Sequence, residues 1–136
     1  MTVASIATAS HGFCFDEAAA RYRVNEQVLR AIAFHESKLD PSIMVSNSNG
    51  STDIGLMGIN TIHLGRGEPL GRGGFTTKTL LQPCSNVMAG AFLLRKKMDQ
   101  YGNTWQAVGA YHSTTEVYNQ AYQAKIKIAL ESGRKR

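Results

Sequence analysis

What this sequence lacks narrows it before any motif is sought. No apolar run approaches the roughly 20 residues that a helix needs to cross a bilayer, so no membrane span is expected. Positive charge is present but not gathered. Lys and Arg outnumber Asp and Glu by 15 to 10, yet Arg21, Arg23, Arg66, Arg72, Lys78, Lys96 and Lys97 are scattered along the chain. A nucleic-acid reader concentrates such charge in a patch or stripe, so nucleic acid is not expected as a partner. The formal net charge of +5 suits an anionic polymer or surface instead. Cysteine is scarce as well. Cys14 and Cys84 have neither CxxC spacing nor a His/Cys cluster around them, which argues against a zinc site, and no metal is expected. They read either as one bridge made in an oxidising compartment or as two buried thiols. The opening MTVASIATAS lacks the basic start of an intact signal peptide, so residues 1–13 are expected to be a flexible segment or the remnant of a leader. There is no internal repeat and no linker. The glycine-rich GRGEPLGRGG lacks the GK[ST] ending of a phosphate-binding loop.

What is present is ordinary for a folded domain: 43% hydrophobic and 18% charged residues in a chain of 136, enough for one core. Phe15 to Tyr22 has helical texture, with Asp16 and Glu17 where a helix dipole favours negative charge. Asn25 is a good N-cap for a second helix whose buried stripe is Val28, Leu29, Ile32 and Ala33, and Pro41 ends that element by Asp40. From Pro41 to Ser85 the chain turns to Gly, Ser, Asn and Thr, and SNSNGSTD and GRGEPLGRGG read as turn and loop. Helical periodicity returns with Val87, Ala91, Leu94 and Met98, ending near Gly102. Asn103 or Thr104 then caps a short helix through Trp105, Val108 and Tyr111. Glu116 to Ser132 forms a last helix with Tyr118, Tyr122, Ile126 and Leu130 on one face and Gly133 as its stop. The fold class is therefore mainly α: one domain over residues 14–132, helices around a glycine-rich middle with room for a short hairpin, and a basic tail at 133–136.

One residue breaks the pattern. Continuing the stripe of Leu29, Ile32 and Ala33 by one turn places Glu36 where another apolar residue belongs. A carboxyl group in apolar surroundings is desolvated and its pKa rises, which is what a general acid needs near neutral pH. By position alone, a glutamate frayed into solvent beside Ser37 and Lys38 is equally consistent. Two other stretches bear on the choice. STDIGLMGIN, residues 51–60, is punctuated by glycines that let backbone approach a ligand closely, and AVGAYHS, residues 107–113, sets a tyrosine at a helix end before a polar run.

Taken in order, these stretches resemble the lytic transglycosylases of the soluble-lytic-transglycosylase (SLT, goose-lysozyme-like) family, from about Cys14 to Leu130. The family's catalytic Glu-Ser pair is matched by Glu36 and Ser37. Its Gly-Leu-Met-Gln-Ile is matched by Gly55, Leu56, Met57, Gly58 and Ile59, followed by Asn60, and its Ala-Tyr-Asn by Ala110, Tyr111 and His112. The opening CFDEAAARYRVNEQVLRAIAFHES is most similar to small single-domain members that accompany type III and type IV secretion or pilus machines. The departures are Gly58 for the usual Gln, His112 for the usual Asn, and Ser113 and Thr114 for the small residues that follow.

The resemblance implies a lysozyme-like fold and cleavage of the β-1,4 bond between N-acetylmuramic acid and N-acetylglucosamine in peptidoglycan, to 1,6-anhydro products and without any cofactor. Glu36 would act as acid and then base. Ser37 and Tyr111 would orient or hydrogen-bond near it, Met57 would pack against sugar, and Gly55, Leu56, Asn60 and His112 would contribute to the substrate site. His112 reads as a cleft-edge residue, with a second titrating group as the alternative. The resemblance also implies a monomer in the bacterial periplasm, which favours the Cys14–Cys84 bridge, with components of a secretion or pilus machine as further partners. Asp53 has two readings. It is a turn former in NGSTDIG, or a second carboxylate facing Glu36, as in lysozymes, that would favour attack by water. The changes at Gly58 and His112 leave a non-catalytic wall-binding or scaffold module as the alternative to an enzyme.

Overall fold

The computed structural model describes residues 13–135. The expected flexible segment or leader remnant lies, apart from Phe13, outside the described residues.

The first helix, α1, runs Phe15–Tyr22, and the second, α2, Glu26–Ser37. Asn25 caps α2 as its sequence predicts: the Val28 amide donates to the Asn25 side-chain oxygen at 3.0 Å. Lys38, in the left-handed region with φ 55°, ends the helix three residues ahead of Pro41. The long helix α5, Pro83–Tyr101, starts with proline in its first turn, where a missing N–H costs nothing. It is followed by α6, Trp105–Ala110, capped by Thr104. The last helix, α7, spans Glu116–Lys135. It continues through Gly133, so the expected stop and separate basic tail are replaced by helix over 133–135; a lone glycine near a helix end costs only about 1 kcal/mol.

The glycine-rich middle holds more structure than a hairpin. Three short antiparallel strands, β1 (Met44–Ser46), β2 (Thr52–Ile54) and β3 (Ile59–Asn60), form one sheet in the order β1-β2-β3. A 3-10 turn at Thr61–Leu64 and two single-turn helices, α3 (Pro69–Arg72) and α4 (Thr77–Leu80), follow. The stretch read as loop, GRGEPLGRGG, contains α3, because one turn opened by a proline is too short to leave a periodic signal.

The helices close on one core. α2 packs on α7, α6 on α7, and α1 on both α2 and α5. Leu29, Ile32, Ile54, Leu56, Val87, Leu94 and Ile126 are all fully buried there. On α7 the buried stripe is Asn119, Tyr122, Ile126 and Ala129; Tyr118, expected on that face, lies at the edge of the stripe and is 60% exposed. Cys14 and Cys84 are bonded, with Cα atoms 5.4 Å apart, and the bridge fastens the start of α1 to the start of α5.

Candidate active site

Glu36 sits in the last turn of α2, on the side facing α7, and is neither frayed nor fully enclosed. Its carboxyl group borders a cleft of about 460 Å³ whose other walls include Asn47, Asp53, Gly58, Asn60, Tyr111 and His112.

The sheet supplies one wall. Side chains alternate across a strand, so Ile54 enters the core while Asp53 turns to the cleft. Asp53 lies opposite Asn60 in the β2–β3 register, which puts both side chains on one face. Asn60 donates to Asp53 Oδ1 at 2.8 Å and Asn47 to Asp53 Oδ2 at 3.3 Å. The same two amides also donate to Ser51 Oγ. Asp53 is therefore a cleft residue held by its neighbours, and its side chain bonds no backbone amide as a turn former would. Asn60 also lines the cleft.

The segment Gly55–Gly58 sets the other edge. Gly55 and Gly58 have φ of +72° and +61°, which side chains rarely allow. At Gly58 a β-carbon would lie 2.6 Å from Glu36 Oε1, so this backbone lies directly against the carboxyl group. At Gly55 a β-carbon would strike the Asn86 amide at 2.3 Å. Asn86, fully buried on α5, holds this segment: it donates to the Ile54 and Leu80 carbonyls at 2.8 Å and accepts from the Met57 amide at 2.7 Å.

Several expected contacts are corrected here. The Met57 side chain does not face sugar. It is fully buried against Gly90, and the turn between two positive-φ glycines drives it into the core. Leu56 and Gly55 are likewise buried away from the cleft. Ser37, 2% exposed, is also no substrate contact. Its hydroxyl lies 3.0 Å from the Ala33 carbonyl and 2.9 Å from that of Leu56, so its single proton serves two acceptors and ties α2 to the loop beneath Glu36.

Glu36 has a partner that the sequence reading did not assign. Tyr122 on α7, 3% exposed, donates its hydroxyl to Glu36 Oε2 at 2.6 Å. The Tyr122 ring is held by three others. His112 stacks on it with centroids 5.0 Å apart, Tyr111 stacks at 6.4 Å, and His35 meets it edge-on at 5.3 Å. Tyr111 lies in the cleft near Glu36; its hydroxyl donates not to the carboxyl group but to the Met57 carbonyl at 2.8 Å and so pins the loop from the far side. His112 is an exposed cleft-edge residue stacked on Tyr122. The signal for Tyr122 was indirect: a tyrosine on a core stripe must place its hydroxyl on some acceptor, and a carboxyl on another core stripe needs a donor.

Burial is the largest influence on Glu36 and pushes its pKa up from the ordinary 4.5 to about 7; the Tyr122 hydrogen bond opposes this and the Asp53 charge adds to it. At neutral pH such a group can both give and take a proton. Burial and the neighbouring Glu36 charge raise both Tyr111 and Tyr122 well above 10, so they remain hydrogen-bond donors. Among the described residues no group of His, Cys, Asp and Glu is arranged to hold a metal ion.

The sequence profile of the Transglycosylase SLT domain matches residues 13–128. The chain belongs to this SLT family. It is 42% identical over 103 residues to invasion protein IagB of Salmonella typhimurium, covering 75% of this chain and 62% of that protein. With protein IpgF of Shigella flexneri it shares 36% over 129 residues, or 88% of this chain and 83% of the relative. A peptidoglycan-binding-like protein of Escherichia coli O157:H7 is 32% identical over 124 residues, with 85% and 74% covered. This SLT domain thus spans 62% of the length of the Salmonella relative. Its mainly helical architecture, with the small sheet at the cleft, is the lysozyme-like fold that the sequence motifs imply. Within it, Gly58 in place of the motif's Gln leaves no side chain between the loop and Glu36.

Proposed function

We propose that this SLT domain is a peptidoglycan lytic transglycosylase. The observation that carries the reading is a half-buried carboxyl group, Glu36, at the wall of an open cleft, with a pKa near 7 and a fixed hydrogen bond to Tyr122. Protonated Glu36 gives its proton to the glycosidic oxygen between N-acetylmuramic acid and N-acetylglucosamine as the C1–O bond breaks, through an oxocarbenium-like state. The resulting carboxylate takes the proton of the muramoyl 6-hydroxyl, whose oxygen bonds to C1 and closes the 1,6-anhydro ring. Tyr122 orients the carboxyl group in both forms. Its disulfide, its SLT membership and the name invasion protein carried by a relative support a role in the periplasm, where it would act as a monomer that opens the wall locally for a secretion apparatus.

A second reading rests on Asp53, whose carboxylate shares the cleft with Glu36. Stabilisation of the oxocarbenium-like state by Asp53 would let water attack C1, as in a lysozyme. Mass spectrometry of digested wall material separates the readings, because anhydro ends and reducing ends differ by one water. Anhydro ends support the transglycosylase and reducing ends the hydrolase. Glu36→Gln should lower lysis about 100-fold to 10,000-fold, the usual contribution of a general acid. Wild-type protein that binds wall material without cleaving it would leave a scaffold module.

A further inference from the structure

The cleft at Glu36 does not end at His63. His63 and Leu93 line it and also line an adjoining chamber of about 510 Å³, whose lining includes Phe92, Lys96 and Lys97 on α5. We propose that this chamber is an anion subsite in which Lys96 and Lys97 bind carboxylates of the peptides carried by the glycan strand. The assignment rests on the wall-polymer reading of the Glu36 cleft.

Charge is the main argument. Two acids, Glu68 and Asp99, also border the chamber, but Asp99 is paired with Arg95 at 2.9 Å. Among the described residues no acid lies within ion-pairing distance of Lys96 or Lys97, so two ammonium groups face one uncommitted carboxylate. His63, between the two cavities, is held below its ordinary pKa first by burial; the Glu68 charge opposes this, and Lys97 and Lys96 add to it, so both lysines are close enough to be felt at the junction. Shape is the second argument. The Lys96 ammonium lies 5.8 Å from the Phe92 ring centre, so an aromatic side chain supports it at the chamber, and Lys97 beside it is half-buried. A neutral glycan has no use for paired ammonium groups along its path. A strand with carboxylate-bearing peptide branches beside each cleaved bond does.

The test uses binding as well as turnover. The probe is a wall disaccharide bearing an acidic peptide, compared with the same molecule after its carboxyl groups are amidated, each titrated into Glu36→Gln protein with and without Lys96→Gln and Lys97→Gln. The lysine substitutions should weaken binding of the acidic probe about threefold to tenfold, as solvent-accessible ion pairs do, and leave the amidated probe unchanged. The difference should shrink as salt rises. Equal weakening of both probes, or none, would overturn the subsite. Turnover of intact, peptide-bearing wall material by the chain without substitutions is measured alongside. If it cleaves nothing while the charge-dependent difference persists, the transglycosylase reading fails and the subsite stands. If it cleaves the wall material while the lysine variants bind both probes normally, the reverse holds.

Discussion

Replacing Glu36 by Gln should stabilise the folded protein, and only above acidic pH. A carboxyl group whose pKa rises from 4.5 to about 7 on folding holds its proton in the native state over a range where the unfolded chain has released it. Stability then falls as pH climbs through that range, and the loss is complete above about 7. At about 1.36 kcal/mol per pH unit the full cost of ionising Glu36 is about 3 kcal/mol. Water in the open cleft reaches the carboxyl group, so about 2 kcal/mol is the expected net effect. Gln keeps the shape and an oxygen for the Tyr122 hydroxyl, while it removes the charge. Thermal melts of both proteins should coincide near about pH 4.5 and separate above about pH 7, where Glu36→Gln should melt about 5–10 °C higher. Melting temperatures that stay together, or that differ by the same amount at every pH, would refute a desolvated Glu36 and with it the physical basis for its role as an acid.

Lysis that needs the protonated form should fall as pH rises through about 7, and two substitutions should move that limb in opposite directions. Tyr122→Phe removes the bond that favours the carboxylate and should move it to higher pH, whereas Asp53→Asn removes a negative charge and should move it to lower pH; pH–rate profiles read both. Gly58→Ala puts a β-carbon 2.6 Å from Glu36 Oε1 at a φ of +61°, so lysis per folded molecule should drop on the order of 100-fold, as misplaced catalytic groups do. Asn86→Ala leaves the Ile54 and Leu80 carbonyls and the Met57 amide without their side-chain partner and should cost about 2–4 kcal/mol in denaturant melts. Replacing Cys14 and Cys84 by Ala opens a cross-link spanning 70 residues and should cost about 4 kcal/mol on the loop-entropy account, again read by denaturant melts.

By itself, the sequence determined what local rules can carry. The 3.6-residue periodicity and the Asn25 cap placed α1 and α2, and the same stripe put Glu36 on the core side of its helix. The order of its short motifs was enough for the family. Local rules say which face of an element is buried, but not what lies opposite. Tyr122 reaches Glu36 across 86 positions of chain, and only the packing of α7 against α2 brings them together. Likewise Met57 and Asp53 sit in one glycine-rich stretch of similar texture, yet one is turned into the core against Gly90 and the other outward into the cleft. That choice is made by strand register and by the three hydrogen bonds in which Asn86 takes part, two donated and one accepted, contacts between segments that no periodicity records, because they depend on which surfaces meet when the helices close.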